Sequence, residues 1–145
     1  MKTTATLIAL LFVACSNLPL NSQRDSKLIG DWMCESATVD GNALPAETIK
    51  LLRLRVTETR YTTDKGTETL FDSTYRVDRS TTPAQIFMLG NEGDLTGKEA
   101  HGIYEISLDR LRVCYAMPGD PPPTSFSSSA GSKAYLVIWR RASPP

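Results

Sequence analysis

From residue 28 onward the chain alternates apolar and polar positions over short runs, and helical periodicity is almost absent. In one such run Leu111, Val113 and Tyr115 fall on one side of an extended strand, and the residues between them fall on the other. Turn-forming residues such as those at 40–42 separate the runs. The pattern predicts strands near residues 29–39, 54–57, 61–64, 67–77, 85–89, 102–107, 111–116 and 134–140. Their number and spacing suit an antiparallel barrel or sandwich.

Two segments depart from the strand pattern. Pro45 suits the first position of a helix and Glu47 its first turn, so the sequence predicts one short helix over residues 45–52, after the first strand. The stretch 118–132 is rich in proline and serine, and prolines cannot donate to a β-ladder. We predict a long loop there, with Phe126 packing back as an anchor. A plain connection to the last strand is the favoured role, and a binding loop over the barrel mouth is the alternative.

The N-terminal segment has the features of an export signal. Lys2 is followed by an apolar run over residues 5–14, which is too short to span a bilayer but typical of a secretory signal. The run ends in Ala14-Cys15, which resembles a bacterial lipobox, and in such signals the cysteine is diacylated. We expect a signal peptide over 1–14, lipidation of Cys15, a polar tether over 15–27, a domain over 28–141 and a tail over 142–145. Ordinary secretion with cleavage near Ala14, or an uncleaved N-terminus, is the alternative.

Composition narrows the function classes. Sixteen basic and sixteen acidic residues give a net charge of +0, so nucleic acid is not an expected partner. The hydrophobic share of 41% and the charged share of 22% are typical of a folded domain. Three Cys and one His are too few for a Cys/His zinc cage. The sequence lacks a Gly-x-Ser-x-Gly elbow, a Walker loop and a His-Glu-x-x-His motif, so we expect no enzyme, cofactor or metal. The oligomeric state is left open.

Two polar clusters and the single histidine each have a structural and a functional interpretation. Oxygen donors at 90–94 suit Ca²⁺, but the spacing lacks the twelve-residue loop pattern, so a solvated turn is favoured. Arg53, Arg55 and Arg60 are typical of an anion-binding patch, although alternation with apolar residues favours a solvated outer face. His101 is expected to be exposed or to lie at a strand end.

Several stretches, in this order and spacing, resemble a known family. They are Gly30-Asp31-Trp32, Asp40-Gly41 with Leu44-Pro45, the runs 102–106 and 111–119, and Pro123-Thr124-x-Phe126 before the run 136–140. Together they resemble the planctomycete family of small, uncharacterised, extracytoplasmic lipocalin-like domain proteins. The resemblance covers most of residues 28–140. It implies an all-β, antiparallel lipocalin-like (calycin) barrel of about eight strands and an extracytoplasmic location, and it implies no reaction.

The Gly-x-Trp at the first strand also resembles the calycin signature. In that group the tryptophan closes one end of the barrel and an arginine from the last strand stacks on it. The resemblance therefore implies structural roles for Gly30, Trp32 and Arg140. We expect Arg140 to share the inward face of its strand with Leu136 and Ile138, and a planar guanidinium packs well on an indole face.

Alternation also predicts the state of two cysteines. Cys34 lies two residues from Trp32 and should share its inward face, whereas Cys114 alternates with inward residues and should point out. We therefore expect Cys34 and Cys114 to form no disulfide, unless a bulge changes the alternation.

Two functions from different classes fit this barrel. In the first, the protein binds a small apolar ligand, and the residues available to line the site are Tyr61, Tyr75, Met88, Tyr104 and Tyr115. In the second, it is a structural or protein-interaction lipoprotein of the envelope, with a barrel filled by its own side chains. An apolar cavity above roughly 300 Å³, open at one end, would distinguish the first from the second.

Overall fold

The computed structural model describes residues 24–142, which form a closed antiparallel β-barrel of eight strands with one short added strand. Cys15, the expected signal peptide, most of the expected tether and residues 143–145 lie outside the described residues. The strands are β1 (Gly30–Val39), β2 (Asn42–Ala43), β3 (Leu52–Val56), β4 (Arg60–Lys65), β5 (Glu68–Asp78), β6 (Ala84–Gly90), β7 (Glu99–Ser107), β8 (Arg110–Ala116) and β9 (Ala134–Arg141). Each strand from β3 onward pairs with the next along the chain, and β1 pairs with both β3 and β9, which closes the barrel.

All of the predicted strands are present, and the predicted helix is shorter than expected. The helix α1 spans only Ala46–Ile49, because Leu52 already begins β3 as its first inward residue. The sequence pattern missed β2, which pairs with the end of β1 through the turn at Asp40 and Gly41. Within residues 24–142, no helix has the length and apolar character needed to cross a membrane.

The barrel has one closed end and one open end. At the closed end, a 3-10 turn at Ser26–Leu28 packs under the barrel, and Leu28 is fully buried. The Asp25 carboxylate accepts hydrogen bonds from the Lys27 amide at 3.1 Å and from the Tyr104 hydroxyl at 3.0 Å. Residues 24–28 therefore form a plug that covers this end. The open end carries α1, the β4–β5 hairpin, a 3-10 turn at Gly93–Leu95 and the long loop before β9.

Trp32 lies above the plug and is the central residue of the closed end. It has no exposed surface, and its indole Nε1 donates to the Leu28 carbonyl at 3.0 Å. Burial of so large a side chain removes much apolar surface from water. Around it pack inward side chains of the other strands, among them Leu54, Val56, Ile86, Met88, Leu111 and Val113.

Arg141, and not Arg140, stacks on Trp32. The Arg141 guanidinium lies 4.1 Å from the indole centroid, and its nitrogens donate to the carbonyls of Ile29 at 3.0 Å and Lys27 at 2.6 Å. Arg140 is exposed on the outer side of the barrel. The expectation for Arg140 was wrong by one residue, because Trp32 is opposite Arg141 in the β1–β9 register.

Gly30 makes room for this guanidinium. Its φ of +141° lies in the region that favours glycine, and a Cβ there would lie 2.7 Å from Nη1 of Arg141. The structural role expected of Gly30 thus has a specific cause, which is the close approach of the stacked arginine.

The outer side of β8 and β9 is covered by the loop over residues 117–133. Phe126 packs on a second cluster formed by Ile103, Cys114 and Ala134, and the Arg112 guanidinium lies 3.9 Å from the Phe126 ring centroid. Phe126 therefore anchors the loop as predicted. Because the loop covers Leu136 on the outer face of β9, this strand carries buried apolar residues on both faces up to Trp139.

The two described cysteines are free thiols on opposite faces of the barrel wall. Cys34 packs against the inner core, next to a bulge between Cys34 and Ser36. Cys114 faces outward as expected, but it is buried under the long loop, where its Sγ lies 3.4 Å from the Ser127 carbonyl oxygen. The bulge leaves Cys34 inward and returns Ala37 to the inner face.

Candidate ligand cavity

The open end of the barrel contains a cavity of about 350 Å³. Its walls are mostly apolar and come from the open-end halves of the strands, together with α1 and the 3-10 turn at Gly93–Leu95. The apolar wall residues include Ala37, Val39, Leu52, Phe71, Leu95 and Val137.

The cavity exists because side-chain size changes along the barrel axis. On β1 the inward residue near the closed end is Trp32, whereas Ala37 and Val39 follow after the bulge. On β4 the small Thr63 follows Tyr61 on the inner face. On these two strands the large side chains fill the closed half, and the smaller ones leave space in the open half.

Tyr61 and Trp139 form the floor of the cavity, where it meets the filled half. Both are 2% exposed, and the Tyr61 ring packs edge-on against Tyr75 at a centroid distance of 6.3 Å. The indole Nε1 of Trp139 is buried and has no hydrogen-bond partner among the described residues. A buried donor without a partner is costly in a folded protein, which makes this group unusual.

The Tyr61 hydroxyl is the polar group that the Trp139 N–H approaches. Burial strongly raises the pKa of Tyr61, the nearby Tyr115 raises it further, and the Trp139 N–H acts weakly in the opposite direction. The N–H is therefore close to the hydroxyl, although their geometry falls short of a proper hydrogen bond. Within residues 24–142 the Tyr61 hydroxyl donates to no protein acceptor; the one bond between Tyr61 and another side chain is donated by the Ser73 hydroxyl to the Tyr61 backbone carbonyl.

The rim of the cavity is aromatic on one side and cationic on another. Tyr115 and Tyr135 stack with centroids 5.0 Å apart, and burial together with the neighbouring Tyr135 raises the pKa of Tyr115. Lys65, at the end of β4, is the single charged residue among those that line the cavity. The floor is thus neutral, and the positive charge lies at the entrance.

Two of the five residues expected to line the site do so. Tyr61 and Tyr115 lie on the cavity wall. Tyr75, Met88 and Tyr104 do not, because their positions belong to the filled half: Met88 is fully buried, the Tyr75 hydroxyl donates to the Thr57 carbonyl at 2.8 Å, and Tyr104 bonds Asp25 in the plug.

Sequence reasoning missed Trp139, Tyr135 and Phe71. The sequence shows the alternation of Tyr135, Val137 and Trp139, but the expected inner face of β9 carries Leu136 and Ile138. The mixed apolar character of β9 explains the error, since the long loop buries its outer face.

The arginine group predicted on β3 and β4 is engaged within the protein. Arg60 pairs with the buried Asp72, Arg55 lies 3.4 Å from Asp64, and Arg53 donates to two backbone carbonyls. Burial alone would raise the pKa of Asp72, but hydrogen bonds from Arg60, Thr62 and Asn91 outweigh it and hold the pKa below its usual range. These contacts favour the interpretation of a structured outer face.

The remaining polar candidates show no catalytic arrangement in the part of the chain that the structure describes. His101 stacks on Phe87 at 4.3 Å and hydrogen-bonds Gln85 at 2.8 Å, and burial lowers its pKa. The stretch 90–94 passes into a 3-10 turn. Among residues 24–142 no group of three or more His, Cys, Asp or Glu side chains is placed to hold a metal ion.

No protein-family model matches this chain, and no match is found among curated proteins or solved structures. The barrel and the geometry of its cavity are therefore the features that bear on function.

Proposed function

We propose that this protein is an extracytoplasmic lipoprotein that binds a small apolar ligand in the open end of its barrel. In this proposal Cys15 carries the membrane anchor, the chain is related to the planctomycete lipocalin-like proteins, and the protein binds its ligand without catalysis or a cofactor. The observation that carries the proposal is the apolar cavity of about 350 Å³, which is open at one end and closed at the other.

The cavity favours ligand binding over the alternative of a filled structural barrel. Its volume exceeds the roughly 300 Å³ at which small-molecule sites begin, and its walls are apolar with few polar groups. Close packing is the norm in protein interiors, so an unfilled apolar space of this size is uncommon without a function. Because the plug covers the closed end, a ligand would enter the cavity from the open end.

Binding is tested with the chain from Cys15 to Pro145 carrying Cys15→Ser, purified without detergent. Native mass spectrometry should find a retained small molecule, and the neutral fluorophore N-phenyl-1-naphthylamine should bind with increased emission. Ala37→Leu should weaken probe binding about tenfold, because Ala37 lines the cavity. The matched control is Ser36→Leu on the exposed outer side, which should leave binding unchanged. Absence of both a retained molecule and probe binding would favour the filled-barrel alternative.

The anchor is tested separately in cells. Cys15→Ser in the full chain should move the protein from the membrane fraction to the soluble fraction, because a single or absent acyl chain holds a protein only weakly. A variant that stays membrane-bound and correctly processed would contradict lipidation at this residue.

A further inference from the structure

The floor of the cavity contains two hydrogen-bond donors, the Tyr61 hydroxyl and the Trp139 N–H, and neither donates to an acceptor among the described residues. Tyr61 lines the cavity, and the N–H of Trp139, another lining residue, is buried. The other buried polar side chains inside the barrel are bonded: Trp32 to Leu28, Tyr104 to Asp25, and Ser73 to Tyr61. Among the described residues one further buried side-chain atom has no partner, the Arg112 Nε, and it lies on the outer wall beside Phe126. Inside the barrel, the unused donors are thus a property of the cavity floor.

The floor is also electrically neutral. Burial raises the pKa of Tyr61, so its hydroxyl stays protonated at neutral pH. No lining residue near the floor carries a positive charge. The charged lining residue, Lys65, lies four residues along β4, so its Cα is roughly 13 Å from the Cα of Tyr61 at the usual rise of a strand. An ionised carboxylate at the floor would lose its hydration without a counter-charge, which is strongly unfavourable.

We propose that the ligand enters with a neutral hydrogen-bond acceptor at its leading end, as in an apolar ketone, ester or ether. The Tyr61 hydroxyl donates to this acceptor, and the Trp139 N–H donates to the Tyr61 oxygen behind it. The apolar body of the ligand then lies along Val137, Phe71 and Leu52 toward the rim. This inference rests on the proposed ligand-binding function and specifies the chemistry of the same site.

The test compares two probes of equal chain length, 2-heptanone and n-heptane, as competitors of N-phenyl-1-naphthylamine. The protein is the Cys15-to-Pro145 chain with Cys15→Ser, and the affinity of the fluorophore is measured for each variant. Tyr61→Phe should weaken 2-heptanone about fivefold, the worth of one neutral hydrogen bond, and change n-heptane by less than about twofold. Each probe's affinity for a variant is compared with its own affinity for the wild type, so the different water solubilities of the two probes do not affect the result.

Tyr75→Phe is the matched control. It also removes one tyrosine hydroxyl, but that hydroxyl bonds the Thr57 carbonyl outside the cavity, and the ring that packs on Tyr61 is kept. It should leave the affinities of both probes unchanged. Circular dichroism and thermal unfolding establish that both variants are folded.

The outcomes separate the two proposals. A loss confined to 2-heptanone and to Tyr61→Phe supports the donor role. Binding of both probes with no effect of Tyr61→Phe, or an equal loss for both probes, overturns the donor role and leaves apolar ligand binding standing. If the fluorophore binds but neither probe displaces it, the donor role is overturned and apolar ligand binding stands. If the fluorophore does not bind the folded protein and no small molecule is retained, the ligand-binding function itself fails.

Discussion

Removal of the Arg141 side chain should destabilise the barrel, whereas removal of the adjacent Arg140 should not. Arg141 stacks on the buried Trp32 at 4.1 Å and donates to the carbonyls of Ile29 and Lys27. These contacts join the end of β9 to the plug and to the start of β1. Arg140 has the same side chain one position earlier, but it points outward and is exposed.

The expected cost of Arg141→Ala follows from these contacts. A cation–π contact on a half-buried site contributes about 1 kcal/mol, and each hydrogen bond from a charged donor contributes about 1 kcal/mol after a reduction for its partial exposure. The free energy of unfolding should therefore fall by about 2–3 kcal/mol. Arg140→Ala should change it by less than about 0.5 kcal/mol, as is usual for exposed positions.

Urea unfolding followed by tryptophan fluorescence and by circular dichroism measures both variants. Arg141→Lys should recover less than half of the loss, because an ammonium group cannot lie flat on the indole and reach two carbonyls together. Equal stability of the two alanine variants, or a larger loss for Arg140→Ala, would refute the assignment of the stacked residue.

Three further predictions concern the closed end and the outer wall. Gly30→Ala should cost about 1–3 kcal/mol in urea unfolding, and less than this in an Arg141→Ala background, because the added Cβ displaces Arg141; additive losses would contradict this. Burial raises the pKa of the Cys34 thiol to about 11. In a Cys15→Ser, Cys114→Ser background, iodoacetamide at pH 8 should therefore react with Cys34 at least about a hundredfold slower than with a free cysteine, and the reaction should become faster as pH rises toward 11. Asp72→Asn should lower stability by about 1–2 kcal/mol at pH 7. Because the folded pKa of Asp72 lies below its usual value, its contribution is full above about pH 4 and is lost as pH falls through the folded pKa, so the difference in stability between the variant and the wild type should shrink as the pH is lowered below about 4.

Much of the fold could be predicted because its causes are local. The strand β3 alternates cleanly, with Leu54 and Val56 inside and Arg53 and Arg55 outside. Such strands have one solvated face, so the period of two is read directly from residue type. The anchoring role of Phe126 was also predictable, because an aromatic residue in a polar loop rarely stays exposed when an apolar wall is near.

The cavity was harder to predict because its causes are long-range. A bulge at Cys34 and Ser36 changes which residues of β1 face inward, and no residue type marks it. The division into a filled and an open half depends on which inward side chains meet across the barrel. Tyr61 and Trp139, for example, belong to strands at distant points of the chain, and residue type alone does not separate Tyr75, Met88 and Tyr104 from Tyr61.

The position of Trp139 follows from the choice between two adjacent arginines. In a strand with a period of two, an inward Arg141 requires Trp139, Val137 and Tyr135 to face inward, whereas an inward Arg140 requires Ile138 and Leu136. The stack on Trp32 therefore sets the phase of the whole of β9, from the closed end to the rim. The same contact that closes one end of the barrel thus places the Trp139 N–H beside Tyr61, at the floor of the cavity that opens at the other end.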